Sequence, residues 1–237
     1  MTITNKQNLP EGFVKAVTIE RHNLPGSLSA TTLLRGVKEI ILTERHWDDL
    51  TDDVEDRIWA IFGTSVHALL QKEGDCDFSE ENLSCEIDGK TVTGRIDNYD
   101  MKTGTVTDYK TASVWKVTYN NFSDWKKQGM IYAWLLHKNG FPVSIVRFIA
   151  LLKDHSKSKA ETKKDYPKHP VFMYRFPVTD DLLAEAETFI KTKLARYKAY
   201  ELYDDDLIPG CDPEESWNGK KCGGYCLCKP FCNGGGE

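Results

Sequence analysis

Long apolar runs, a signal-peptide pattern, internal repeats and a large excess of one charge sign are all missing from this sequence. No run approaches the roughly 18 apolar residues of a membrane span, and the polar start MTITNKQNLP lacks the charged-then-apolar pattern of a signal peptide. The net charge of −5 argues against a non-specific nucleic-acid coat protein, although an enzyme needs only a local basic surface. We therefore expect a cytoplasmic protein with no membrane partner.

The composition is that of a folded protein with an unusual end. With 237 residues, 40% hydrophobic and 28% charged, the chain is long enough for one α/β domain and an appendage. Five of its seven cysteines crowd into the last part of the chain, where thiols or metal ligands are favoured over a disulfide framework. We expect an irregular segment over residues 1–26, a domain over 27–203 and a cysteine-rich tail over 204–237.

Hydrophobic periodicity predicts an α/β fold. The expected order is helix, helix, three-stranded meander, helix, two strands and helix, over residues 33–42, 51–72, 83–110, 123–140, 143–152, 171–176 and 180–203. A lysine-rich insert, residues 153–170, separates the last two strands, and we expect a mobile loop there. It is either a basic arm for phosphates or a solvated loop.

The stretch GRIDNYDMKTGTVTDYK, residues 94–110, is typical of a hairpin that carries acidic residues. A four-residue loop sets Asp100 opposite Thr105, which places Asp97 opposite Asp108 and keeps Lys110 on the same face. Facing carboxylates lie within about 5 Å of each other and repel unless a cation lies between them or one is protonated. The hairpin is therefore either a divalent-metal site or a solvated turn.

Three further polar residues flank this hairpin on predicted helices. His67 lies beside the apolar stripe of the helix before the meander, as a ligand or as a partly buried structural histidine. Gln128 and Tyr132 are four residues apart on the helix that follows, so they share one face, as site residues or as an amphipathic surface.

Taken in order, these residues resemble a known family. His67, GRID ending at Asp97, DYKT with Asp108 and Lys110, and QGMIY with Gln128 and Tyr132 resemble the RecB-type exonuclease branch of the PD-(D/E)XK nuclease superfamily. The resemblance spans about residues 27–200. It implies a restriction-endonuclease-like core, with a mixed sheet of a three-stranded meander plus two further strands, flanked by helices.

The resemblance also implies roles for these residues. His67, Asp97, Asp108 and the main-chain carbonyl of Tyr109 correspond to ligands for Mg²⁺ or Mn²⁺, ions that favour hard oxygen ligands. Lys110 would act with Asp97 and Asp108 in catalysis, while Gln128 and Tyr132 would contact the nucleic acid. The implied activity is that of a metal-dependent deoxyribonuclease, an exonuclease rather than an endonuclease, on DNA ends or single strands in phage or mobile-element recombination, repair or processing.

The tail carries a separate pattern that is similar to the cysteine-rich C-terminus of phage-encoded relatives. Cys211, Cys222, Cys226 and Cys232 would supply four thiolates to a structural metal, either zinc or an iron–sulfur cluster, and Cys228 makes the ligand choice ambiguous. In the CRISPR-associated and AddB-type relatives, one cysteine before the nuclease core and three after it hold an iron–sulfur cluster. Here no cysteine precedes Cys76, so the ligands would have to come from the tail alone.

Two other classes of function remain open at this level. One is a catalytically silent module that keeps the fold and binds DNA or a partner, such as a recombination or single-strand-binding protein. The other is a metal-stabilised interaction protein whose cysteine tail is the active surface. The first is disfavoured by the complete set of His67, Asp97, Asp108 and Lys110, since a decayed nuclease usually loses a ligand or the lysine. The second predicts that deletion of residues 205–237 abolishes binding while Asp108→Ala leaves it intact.

Overall fold

The computed structural model describes residues 1–18, 26–72 and 78–232, and it divides into two compact units. We call residues 62–188 the sheet unit, and residues 1–61 with 189–237 the flanking unit. The elements run, in chain order, as follows: β1 (Thr2–Thr4), α1 (Glu11–Val17), β2 (Ser27–Ser29), α2 (Ala30–Leu33), α3 (Val37–Arg45), β3 (Thr51–Asp53), α4 (Ile58–Lys72), β4 (Phe78–Ile87), β5 (Lys90–Asp100), β6 (Thr105–Ala112), α5 (Val114–Thr118), α6 (Ser123–Lys138), β7 (Ile145–Leu152), α7 (Lys157–Thr162), β8 (Val171–Pro177), α8 (Asp180–Tyr200) and α9 (Lys220–Gly224).

The sheet unit confirms the predicted α/β class with a mixed sheet. Its strands lie in the order β4-β5-β6-β7-β8, with antiparallel pairing except between β6 and β7, which are parallel. β4, β5 and β6 form the predicted meander. The parallel partner β7 is reached through α5 and α6, because parallel strands need a crossover connection. The mixed sheet flanked by helices matches the predicted restriction-endonuclease-like core.

The hairpin register is confirmed as far as the strands stay paired. Asp100 pairs with Thr105, Tyr99 with Val106 and Asn98 with Thr107. The ladder between β5 and β6 ends there, one position before the predicted pair of Asp97 and Asp108. The two aspartates therefore follow directly after the last paired residues, where the strands separate.

The sheet is covered by α6, which approaches it closely at two glycines. A Cβ atom on Gly94 of β5 would lie 2.6 Å from Leu135 Cδ1, and one on Gly129 of α6 would lie 2.7 Å from Val146 Cγ1. Neither position has room for a side chain without displacing a neighbour. These contacts fix the height of α6 over β5 and β7. The core beneath is rich in aromatic rings, including Trp125 and Phe148, stacked at 5.6 Å.

Several sequence predictions about local structure were wrong. The segment 1–26 is not irregular, since β1 and α1 lie within it; its residues 19–25 are outside the described residues. The helix predicted from residue 51 begins at Ile58, after β3 and a 3₁₀ turn. The helix predicted over 33–42 is broken at Gly36, the N-terminal cap residue of α3.

The lysine-rich insert is also more ordered than predicted. It contains α7, and Tyr166 is buried within it. The Tyr166 hydroxyl accepts a hydrogen bond from the main-chain N–H of Ser156 at 2.9 Å and donates one to the carbonyl of Asp154 at 3.2 Å. A single buried aromatic ring thus closes the loop, a contact that the polar composition of the insert did not indicate.

The flanking unit contains the described part of the predicted cysteine tail, residues 204–232. β1 and β3 pair in parallel within this unit, and α3 packs with its buried face against Ile208 and Tyr197. The described helices include none that is long and apolar enough to cross a membrane. The predicted boundaries at residues 26 and 203 stay a prediction.

Candidate active site

The sheet unit brings six of the predicted site residues together from four elements. α4 supplies His67, β5 supplies Asp97, β6 supplies Asp108 and Lys110, and α6 supplies Gln128 and Tyr132. Each side chain in this group contacts at least one other member of it. The ordered motif set therefore corresponds to one place in the fold.

Asp97 lies at the point where β5 and β6 separate. Its Oδ2 atom accepts a hydrogen bond from the main-chain N–H of Tyr109 at 2.8 Å and lies 3.1 Å from Nδ1 of His67. The carboxylate thus replaces the strand partner that the ladder no longer supplies. The hydrogen bond with Asp97 raises the pKa of His67, against the opposing effect of burial.

Asp108 is the most deeply buried acidic residue of the group. Lys110 Nζ lies 2.6 Å from its Oδ2 atom, and Gln128 Nε2 lies 3.4 Å from its Oδ1 atom. Among the described residues, Oδ2 accepts no hydrogen bond of ordinary geometry despite the nearby ammonium. Burial raises the pKa of Asp108 to about 6, while the charge of Lys110 opposes this and the charge of Asp97 adds to it.

Gln128 and Tyr132 form the α6 side of the site. Gln128 Nε2 donates to the hydroxyl oxygen of Tyr132 at 2.8 Å as well as facing Asp108. Both residues are buried, and burial, followed by the charge of Asp108, raises the pKa of Tyr132. The tyrosine hydroxyl therefore stays protonated, and the pair fixes the orientation of the Asp108 carboxyl.

Some residues that shape the site were not singled out from the sequence. Phe148 of β7 lies under Lys110, whose Nζ is 5.8 Å from the ring centroid. Gly94 and Gly129 allow α6 to approach closely enough for Gln128 to reach Asp108. The glycine of GRID was a visible signal, whereas Phe148 appears in the sequence as one more apolar residue of a buried strand.

The donor set fits a hard divalent cation. Two carboxylates, an imidazole and the carbonyl of Tyr109 are ligand types that Mg²⁺ and Mn²⁺ accept, and the unsatisfied Oδ2 atom of Asp108 is a position that a cation would satisfy. Within the described residues, no three His, Cys, Asp or Glu side chains are spaced around a common point as ligands are. Asp97 contacts His67 and Asp108 contacts Lys110 instead, so these contacts would have to rearrange around an ion.

The tail cysteines lie in the flanking unit as free thiols. Cys228 is buried beside Leu42 and Leu50, and the Thr43 hydroxyl lies 2.9 Å from its Sγ atom. Cys226 and Cys232 border the same cluster.

Thiol acidity varies within the tail. Burial raises the pKa of Cys211 to about 11, whereas a hydrogen bond with Cys228 lowers the pKa of Cys226 to about 6. Cys222 lies on α9 and is half-buried. No tail metal site is formed among the described residues, and a structural metal there stays a prediction.

Comparison with known proteins agrees with this geometry. A family model of the PD-(D/E)XK nuclease superfamily matches residues 42–233, so the chain belongs to this nuclease superfamily. The crystal structure of SSO0001 has the same fold, with a TM-score of 0.61 and 15% identity over 95% of both chains. Among curated proteins, none matches the sequence significantly.

Two exonuclease structures are more distant. The alkaline exonuclease LHK-Exo from Laribacter hongkongensis has a TM-score of 0.49 and 14% identity, over 81% of this chain and 94% of that one. A phage-related exonuclease from Haemophilus somnus 129PT has a TM-score of 0.46 and 10% identity, over 73% and 94%.

Proposed function

We propose that this protein is a divalent-metal-dependent DNA exonuclease of the RecB-like branch, which hydrolyses phosphodiester bonds in the cytoplasm during phage or mobile-element recombination, repair or processing. The observation that carries the proposal is the buried Asp108 carboxylate, held between Lys110 and Gln128 with Asp97 and His67 beside it. The choice of exonuclease rests on the resemblance of the ordered motif set to that branch.

In this proposal His67, Asp97, Asp108 and the carbonyl of Tyr109 hold Mg²⁺ or Mn²⁺. Bound there, the ion would polarise the phosphodiester and lower the pKa of a water molecule. Because ligands must be deprotonated and Asp97 raises the pKa of His67, the affinity for the ion should fall at acidic pH.

The remaining residues would orient the two carboxylates and stabilise the charge that develops during hydrolysis. Lys110 lies at the edge of the buried carboxylate, where its ammonium can contact a phosphate oxygen and stabilise the charge that develops during hydrolysis. Gln128 and Tyr132 hold Asp108 in place. Because both side chains are buried, the contact with the nucleic-acid strand that the resemblance implies would require the strand to uncover them. The amide of Tyr109 keeps the Asp97 carboxylate oriented.

The test is nucleotide release from end-labelled single-stranded and double-stranded DNA with Mg²⁺ or Mn²⁺. We expect Asp108→Ala and Lys110→Ala to lower the rate by about 100-fold or more. Lys102→Ala in the exposed hairpin loop is the matched control and should cleave as the wild type does. Labels at either end report polarity, and covalently closed circles, which an exonuclease leaves intact, separate exonuclease from endonuclease activity.

The main alternative is a silent nuclease fold that only binds DNA or a partner. It gains support if the wild type binds DNA in EDTA but releases no nucleotide with either ion. The nuclease proposal is also overturned if Asp108→Ala and Lys110→Ala both match the wild-type rate.

A further inference from the structure

Two stacked, solvent-exposed aromatic rings belong to α5, the short helix directly after β6, and to its C-terminal cap residue. The ring centroids of Trp115 and Tyr119 are 5.7 Å apart, with an interplanar angle of 20°. The two residues are 48% and 73% exposed. About half or more of the surface of each residue remains accessible to solvent, and therefore to a further planar group.

The helix that carries these rings is fixed at both ends. Asp154 accepts hydrogen bonds from the Ser113 hydroxyl at 2.6 Å and from the main-chain N–H of Val114 at 2.7 Å. On the other side, Lys116 Nζ lies 2.7 Å from the Asp124 carboxylate and 5.0 Å from the centroid of the Trp125 ring. The rings are therefore presented in a defined orientation, which lowers the entropic cost of binding.

The same anchor connects α5 to the lysine-rich insert. Asp154 is the second residue of the insert, and the N–H of Lys153 donates to the carbonyl of Ala112, at the end of β6, at 3.0 Å. Residues 153–168 contain six lysines and three acidic residues. All six of these lysines are exposed. Lys168 Nζ also donates hydrogen bonds to the carbonyls of Ala160 and Lys163. Hydrogen bonds therefore join the segment that carries the aromatic pair to the first residues of the lysine-rich insert.

The aromatic pair is close in the chain to the candidate active site. Trp115 follows Lys110 by five residues, so their Cα atoms are at most roughly 18 Å apart. At a rise of about 3.4 Å per stacked nucleotide, that distance corresponds to no more than about five nucleotides.

We propose that Trp115 and Tyr119 form a base-stacking platform for a single-stranded stretch of the DNA strand being hydrolysed, with the exposed lysines of the insert contacting its phosphates. This inference rests on the proposed function. Aromatic side chains beside a positively charged track are the general means of holding single strands, because every base has a π-face. Bases within a duplex are already stacked on each other and gain little from the platform.

The experiment measures binding of 5′-fluorescein-labelled (dT)12 by fluorescence anisotropy in EDTA, so that no hydrolysis occurs. Trp115→Ala and Tyr119→Ala should each raise the Kd by roughly five-fold or more. Trp115→Phe and Tyr119→Phe keep a ring and should remain near the wild-type Kd. Unchanged thermal midpoints show that these surface variants fold.

The chain offers a matched control pair. Trp217 and Tyr225 of the flanking unit also have centroids 5.7 Å apart and are 51% and 73% exposed, but their planes are tilted by 52°. The double variant Trp217→Ala/Tyr225→Ala removes the same ring types with similar exposure. It should bind (dT)12 as the wild type does.

A second ligand separates stacking from phosphate contact. An all-abasic 12-mer offers the same backbone without bases, so the wild type and Trp115→Ala/Tyr119→Ala should bind it equally. Lys157→Ala/Lys163→Ala should reduce the salt dependence of (dT)12 binding, by roughly one in log–log slope for each lost contact, whereas the ring variants should leave the slope unchanged.

The outcomes also distinguish this inference from the proposed function. Ring-dependent (dT)12 binding without nucleotide release would overturn the nuclease proposal and leave the platform supported. Nucleotide release with ring variants that match the wild type in Kd would overturn the platform alone. The platform is likewise overturned if the wild type does not bind (dT)12, or if the control pair weakens binding as much as the ring pair.

Discussion

At the scale of single residues, the buried Asp108 carboxyl decides the chemistry of the site. Its position between Lys110 and Gln128 holds it in one orientation, while burial penalises its charge. A buried carboxylate of this kind favours binding of a cation, since the cation offsets the desolvation cost of the carboxylate charge.

Asp108→Asn should therefore change stability with pH in the metal-free protein. The folded-state pKa, raised to about 6 from the ordinary 3.8, makes ionisation of Asp108 unfavourable for folding. The penalty is absent below about pH 4, grows up to about pH 6 and stays constant above it, reaching at most about 3 kcal/mol. The variant should match the wild type at acidic pH and exceed its unfolding free energy at pH 8.

Urea unfolding in EDTA at pH 4, 6 and 8 measures this difference. Asp165→Asn, at an exposed carboxylate of the insert, is the control and should show no such trend. A wild-type advantage that grows with pH would contradict the assigned environment of Asp108.

A second residue-scale prediction concerns thiol reactivity in the tail. Because Cys228 lowers the pKa of Cys226 and burial raises that of Cys211, iodoacetamide at pH 7 should label Cys226 before Cys211 in reduced protein. Cys228→Ala removes the hydrogen bond and should slow the labelling of Cys226. Mass spectrometry of timed samples gives the order, and labelling that begins only after chelator treatment would support a tail metal.

The grouping of the candidate site residues could be predicted from sequence because each belongs to a short motif with fixed spacing. The order His67, Asp97, Asp108, Lys110, Gln128 and Tyr132 indicated one site, and the structure brings all six side chains together. The sequence did not indicate Phe148, which lies near Lys110, or Asp154, which anchors α5. Neither residue belongs to a motif, and both act through contacts between segments distant in the chain.

At the scale of elements, the position of α6 is set by its two close contacts with the sheet. Gly129 faces Val146 and Phe148, and Gly94 receives Leu135 and Tyr132. Gln128 is next to Gly129 on α6. The packing of this helix against the sheet therefore determines where Gln128 lies relative to Asp108.

Gly129→Ala should accordingly destabilise the protein and impair the site. The added methyl group would lie 2.7 Å from Val146 Cγ1 and 2.9 Å from Phe176 Cζ, which forces a shift of α6. Overpacking of this kind costs about 1–3 kcal/mol. Urea unfolding measures the loss, and nucleotide release should fall with it because Gln128 moves away from Asp108.

Gly12→Ala is the control for this substitution. Gly12 lies in α1, and a Cβ atom there would meet nothing within 4 Å. Its unfolding free energy should be unchanged or higher by up to about 1 kcal/mol, from helix propensity alone. Equal losses in the two variants would show that α6 packing is not the cause.

Elements were predicted well where periodicity was long and poorly where short polar segments are organised by distant contacts. The meander, α6 and β7 have clear patterns of apolar residues. In contrast, β1 and β3 are three-residue strands that exist because they pair with each other across about fifty residues of chain. Local sequence carries no signal for such pairing.

At the scale of the whole molecule, the net charge of −5 bears on the proposed function, because a DNA strand would have to bind at local basic groups of an acidic protein. In the proposed metal site, the carboxylates of Asp97 and Asp108 contribute to that negative charge until an ion binds. Association with DNA should therefore depend on both the divalent ion and the salt concentration.

Mg²⁺ or Mn²⁺ should raise the thermal midpoint of the wild type, because an ion that binds only the folded state stabilises it by mass action. At 100 times the Kd the gain is about 2.7 kcal/mol. Differential scanning fluorimetry with and without 5 mM or so of ion measures the shift, which requires no activity. Asp97→Asn and Asp108→Asn should lose the shift, and an equal shift in all three proteins would refute a site at these residues.

The main-chain amide of Tyr109 turns the Asp97 contact into a spectroscopic reporter. Its hydrogen goes to Oδ2 of Asp97, so any ion that draws this oxygen away must change the amide environment. In a ¹⁵N-labelled sample, the Tyr109 cross-peak would shift on titration with a divalent ion in the absence of DNA. Occupancy of the centre could then be followed separately from turnover, one peptide group at a time.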